Sequence, residues 1–268
     1  MAEHKMKNLL GNSRFYILVS SVLLSIIIAA YIRLQIPSDQ LYYIRIQQLF
    51  GLFAIIYWLL ALVISPIGYV IGKQRMKHLG FARRAIGVSA AYFATLHGAV
   101  ALWGQLGGLS ALALLPPLFQ WSIAGGAIGL FILLIMAATS FDKVISFMTF
   151  TKWKWLHRLV YIGFILVCLH IWTIGTHLAY MGVQWTAFTA LVILSGLELF
   201  RTIKLVNDKY LHFEKREMIT LFGASWVIII FLISLTPVFV QNYYSKHESH
   251  SEEHTVSTED SHSEAHNE

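Results

Sequence analysis

Seven apolar runs, each close to the length needed to cross a bilayer, divide this sequence, and its charged residues are gathered between them. In hydrocarbon every backbone N–H and C=O must be satisfied within the protein, so a run of about 20 apolar residues folds as a spanning helix. The runs cover roughly residues 15–33, 47–71, 85–106, 120–139, 155–176, 184–200 and 219–240. Only 13% of residues are charged, against about a quarter in soluble domains. The expected fold is an all-α integral membrane protein. The first run has no small-residue cleavage site and is followed by further spans, so it reads as an anchor rather than a signal peptide.

Charge sets the expected orientation. With the N-terminus inside, segments 1–14, 72–84, 141–158 and 201–217 face the cytoplasm and hold 17 of the 20 Lys and Arg. Only Arg33, Arg45 and Lys246 fall outside. This is a strong positive-inside pattern, and it delivers the C-terminus to the outer side. The net charge of +6 is thereby a topology signal, not the basic face of a nucleic-acid binder. The surrounding solvent for most of the chain is membrane lipid.

Other classes fall away on composition. A single cysteine, Cys168, rules out an intramolecular disulfide, a cysteine zinc site and a thiolate-held iron–sulfur cluster. The short loops contain no Gly-rich phosphate loop and leave no room for a nucleotide-binding domain, so a reducing nucleotide must be handled by another protein. The tail 241–268 carries seven of the fourteen acids and five histidines, and is expected to be disordered. His247, His250 and His254 there offer a loose metal site, with a merely solvated tail as the plainer reading.

Histidines carry the functional signal. His97 lies in the third run and His157 and His170 in the fifth, with no acid beside them. His97 is thirteen residues beyond Arg84, and His170 is thirteen beyond His157, at the basic edge beside Lys154 and Arg158. At about 1.5 Å per residue both climb about 20 Å from the inner side, so His97 and His170 reach similar heights. Two neutral imidazoles between parallel helices suit axial ligation of a b-type haem; satisfied core histidines of a transporter are the other reading. His157 has no histidine at its own depth, because the third run shows Arg83 and Arg84 there. Arg83, Arg84 and Arg158 suit haem propionates, lipid heads or a flavin phosphate. A cation path is hard to build here, since acids are almost missing from the runs apart from Glu198 beside Arg201.

Four pieces together, KHLGFARRAIG, YFATLH, AATSFDK and WKWLHRLVYIGFILVCLH, resemble the ferric reductase-like transmembrane domain. Over about 47–205 the chain most resembles that family's haem-binding membrane subunits of bacterial methionine sulfoxide reductase systems, MsrQ or YedZ. The resemblance implies a six-helix haem domain over 15–205 and electron transfer across a bacterial inner membrane to an outer acceptor, protein or metal ion. An inner loop over 206–218 and a seventh helix over 219–240 extend beyond that core. The resemblance implies His97 and His170 as haem ligands, with His157 matching the inner histidine of the fifth span. Two-haem relatives carry a further histidine where this chain has Arg83 or Arg84, which favours one haem, or a second site using His157. The donor implied is a separate flavin reductase, with FMN, or quinol. Two alternatives stand beside this one: a ferric or cupric ion reductase using the tail, and a non-redox metal transporter or adaptor.

Overall fold

The computed structural model describes residues 2–72, 77–175, 181–208, 214, 216–232 and 234–235. The tail with His247, His250 and His254 and the last part of the expected seventh span lie outside the described residues. Helix α1 (Ala2–Gln35) turns at Pro37 into α2 (Asp39–Ile71). Proline disfavours helix in the residue before it and has no N–H to continue one. The turn is fastened by Arg33, which pairs with Asp39 at 2.7 Å and donates to the Pro37 carbonyl. Helix α3 (Lys77–Ala99) runs on into a π-helical turn, Val100–Gln105. After a 3₁₀ turn, Leu109–Leu114, α4 (Pro117–Ala138) opens with proline in its first turn, where the missing N–H costs nothing. Short helices α5 (Asp142–Phe147) and α6 (Phe150–Leu156) lead to α7 (Leu159–Ile174) and α8 (Met181–Val206). Residues 216–232 are also helical.

Five helical segments among the described residues are long and apolar enough to cross a membrane: Ser13–Gln35, Asp39–Ile71, Ala82–Gln105, Pro117–Ala138 and Thr151–Ile174. The chain is an all-α integral membrane protein. Several bounds differ from the sequence expectation; α8, for one, runs over Met181–Val206 rather than 184–200. The second span begins at Asp39 rather than 47, because Tyr42, Tyr43, Arg45 and Gln47 wind as helix although their polarity suits the interface. The fifth span is not one uninterrupted helix. It tightens at His157–Arg158, where the Arg158 N–H bonds the Trp155 carbonyl three residues back. No proline or glycine marks that break.

The closest helix pairs are α2 with α3 and α4 with α7; α3 also packs on α1 and α4, and α8 on α2. Lipid is as apolar as leucine, so such pairing depends on close contact and on polar bonds between helices. Both are present. Phe93, fully buried, stacks with Phe53 and Tyr57, and Trp58 meets Phe164 edge-on. Ser21 of α1 bonds Ser89 of α3 at 2.8 Å, and Ser25 bonds Tyr92 at 2.8 Å. Between α4 and α7 the packing is tight at Gly129, where an added Cβ would come within 2.5 Å of Val167 Cγ2. Each of the two tight pairs presents one of the membrane histidines to the other.

Candidate functional site

His97 comes from α3 and His170 from α7, and their rings face each other with centroids 6.2 Å apart and planes at 83°. Each ring is fixed by the helix partnered with its own. His97 Nδ1 lies 2.9 Å from the Gln47 carbonyl of α2, and His170 Nδ1 lies 2.9 Å from the Ser122 carbonyl of α4. A carbonyl only accepts, so each Nδ1 carries the proton and each Nε2 keeps its lone pair. Ser122 also donates through Oγ to the His170 carbonyl at 3.3 Å and bonds Thr173 Oγ1. The two imidazoles are thus held in the tautomer a metal requires, by bonds that orient the ring.

The ring spacing is that of two imidazoles able to share one metal ion. Metal–nitrogen bonds of about 2 Å on each side, plus about 1 Å from nitrogen to ring centre, separate two ring centres by about 6 Å. The observed spacing is 6.2 Å. Beside His97, the Gln47 side chain buries its Oε1 without a hydrogen-bond partner among the described residues. Just beyond, an open groove of about 290 Å³ is lined by Tyr43, Ala99, Val100, Trp103 and Gly104. Among the described residues no three His, Cys, Asp or Glu side chains gather into a metal-binding group.

His157 stands apart. It ends α6, with its ring 4.2 Å from that of Trp153 and its Nε2 3.3 Å from Thr139 Oγ1. Thr139 Oγ1 also bonds the Ile135 carbonyl at 2.8 Å, so His157 Nε2 is engaged at the end of α4 rather than turned toward another histidine.

The three arginines are parted. Arg83 donates through Nε to the Ala61 carbonyl of α2 at 2.8 Å, next to the carbonyl that Pro66 leaves without its helical partner. Arg84, one position on and about 100° round the helix, bonds Asp142 at 2.6 Å and covers the Trp153 ring. Asp142 also takes Arg14 at 3.1 Å, joining α1 and α3 to α5. Arg158 lies 4.5 Å over Trp155. About 20 Å of helix rise separates Arg84 from His97, so the two ends of this domain carry different chemistry.

A buried polar knot was not foreseen beyond the Glu198–Arg201 neighbourhood. Arg201 pairs with Glu198 at 2.6 Å and donates to Tyr161 at 2.7 Å and Ser65 at 3.0 Å. It ties α8 to α7 and α2. Its i, i+3 acid was legible; Tyr161 and Ser65, more than thirty residues away, gave no local signal.

The family model described as the ferric reductase like transmembrane component matches residues 18–168. A protein-methionine-sulfoxide reductase heme-binding subunit MsrQ from Deinococcus radiodurans is 32% identical over 129 residues, which is 46% of this chain and 58% of that protein. The MsrQ subunit of Ralstonia nicotianae is 28% identical over 112 residues, 41% of this chain and 50% of that protein. The matched region spans about half the length of these curated relatives. No solved structure matches the chain.

Proposed function

The chain belongs to the ferric reductase-like transmembrane family, and on that footing we propose that it is a b-type haem subunit passing single electrons across the membrane to an outer acceptor. The observation that carries this reading is the facing pair, His97 and His170, at 6.2 Å. Their Nδ1 protons are committed to the Gln47 and Ser122 carbonyls, which leaves both Nε2 lone pairs for an iron. Two donors are too few for a site built of protein ligands alone, but they complete a macrocycle that supplies the other four positions. A haem bound there supplies reversible one-electron chemistry. The names of the MsrQ relatives, heme-binding subunits, agree with this assignment.

The protein's part is to hold the ligands, exclude water and keep the two membrane faces distinct. The pair lies among α2, α3, α4 and α7, and dryness together with ligand identity sets a haem's potential. Arg84 and Arg158 at the basic, cytoplasmic end offer cation and aromatic partners to lipid heads or to the phosphate of a flavin donor. Quinol is the other donor. We assign one haem per chain, because His157 is bonded to Thr139 and lies tilted against Trp153. The outer acceptor is a sulfoxide-reducing partner, as the relatives' names suggest.

A vesicle assay tests the electron path. With ferricyanide, which cannot cross the bilayer, trapped inside reconstituted vesicles and dithionite added outside, the wild type should bleach the ferricyanide faster than vesicles carrying His97→Ala or His170→Ala. Equal rates in all three would overturn the proposal.

A further inference from the structure

We propose that Gly51 and Gly126 are positioning residues for the two imidazoles, bare patches of helix on which each ring lies flat. The inference deepens the haem reading above and depends on it for the identity of the ligand. A Cβ at Gly51 would stand 2.9 Å from His97 Nδ1 and 3.1 Å from its Cε1. A Cβ at Gly126 would stand 2.8 Å from His170 Nδ1 and 3.0 Å from both Cε1 and Cγ. Real Cβ atoms essentially never come under 3.0 Å, and the neighbour here is a planar ring rather than a flexible chain end.

The two glycines share one relation to the acceptor carbonyls. Gln47 is four residues before Gly51, and Ser122 is four residues before Gly126. In an α-helix the carbonyl of residue i−4 already accepts the N–H of residue i. Its second lone pair is open, but a side chain at i leans toward the N-terminus and covers that turn. Glycine uncovers it. An imidazole from the neighbouring helix then reaches the carbonyl, donates its Nδ1 proton at 2.9 Å in both cases, and presents Nε2. The same device occurs twice, on α2 for His97 and on α4 for His170. It sets tautomer and ring plane together.

Two other glycines, Gly125 of α4 and Gly98 of α3, lack this relation. A Cβ at Gly125 would meet only the Leu166 carbonyl, at 3.7 Å, and one at Gly98 only Leu130 Cδ2, at 3.5 Å. Both are ordinary van der Waals distances, so Gly125→Ala and Gly98→Ala are matched controls.

The test uses the full chain purified in detergent. Gly51→Ala and Gly126→Ala should shift the low-spin ferric EPR signal and the haem midpoint potential, or convert haem to a high-spin form, while both control variants keep the wild-type values. A thermal cycle covers variants that hold haem poorly. Gly126→Ala should lower the melting temperature in the presence of His170 and leave it unchanged in a His170→Ala background; Gly51→Ala should behave likewise with His97→Ala. Wild-type EPR and potential in both glycine variants would overturn the inference, as would equal melting losses with and without the ring. A haem-free wild type would instead overturn the haem reading, and with it the ligand role given to these rings.

Discussion

The ring of His97 lies 6.2 Å from the ring of His170, centroid to centroid, and each is bonded through Nδ1 to a backbone carbonyl of a different helix. A side-chain acceptor for Nδ1 can be lost by mutation; a main-chain one cannot. Four helices therefore converge on one pair of atoms, two supplying rings and two holding them. Each bond joins two helices that already pack together, α2 with α3 and α4 with α7.

Ser122 separates the backbone contribution from the side-chain one. Ser122→Ala removes the Oγ bonds to the His170 carbonyl and to Thr173 but keeps the carbonyl that takes the His170 proton. It should cost about 1 kcal/mol of stability and leave the haem spectrum unchanged. Thermal melts followed by circular dichroism and by visible absorbance check both halves. Loss of haem in this variant would show that the hydroxyl, not the carbonyl, holds the ring.

The Glu198–Arg201 pair is half-buried, with side chains 16% and 17% exposed. Removing one partner leaves a partly desolvated charge uncompensated, a loss below the ~3–5 kcal/mol of a fully buried pair. Arg201→Leu should therefore melt well below wild type. The double variant Arg201→Leu, Glu198→Leu should recover much of the loss, because no lone carboxylate remains. A double variant no more stable than the single one would mean that the bonds to Ser65 and Tyr161, rather than charge pairing, dominate the knot.

His157→Ala should leave the haem content per chain unchanged. Its Nε2 bonds Thr139 Oγ1 and its ring rests on Trp153, so the variant loses a local tie between the end of α4 and α6. Haem extraction against protein concentration gives the ratio. A fall to half the wild-type ratio would assign His157 to a second site.

The meeting of His97 and His170 was legible because depth in a membrane can be counted. Both runs start at basic residues, both histidines stand thirteen residues further on, and helix rise is constant. Azimuth was less legible. Arg83 and Arg84 read alike in sequence, yet one step round the helix sends Arg83 to α2 and Arg84 to Asp142. The ring acceptors were beyond reach of residue type, since any residue but a displaced one can offer a carbonyl. Residue type alone gave Gly51 and Gly126 no mark of their role; the signal available was a glycine four residues after an interior polar residue, Gln47 or Ser122. The break at His157–Arg158 left no mark, because both residues keep helical dihedral angles while the bonding shifts.

The most direct measurement is a dithionite-reduced minus oxidised visible spectrum of the purified full chain, with His97→Ala and His170→Ala alongside. A low-spin b-type spectrum at one haem per chain, lost in both variants, is the expected result. A colourless wild-type protein after expression with ample haem, or a spectrum that survives both substitutions, would contradict the assignment of this pair as the iron ligands.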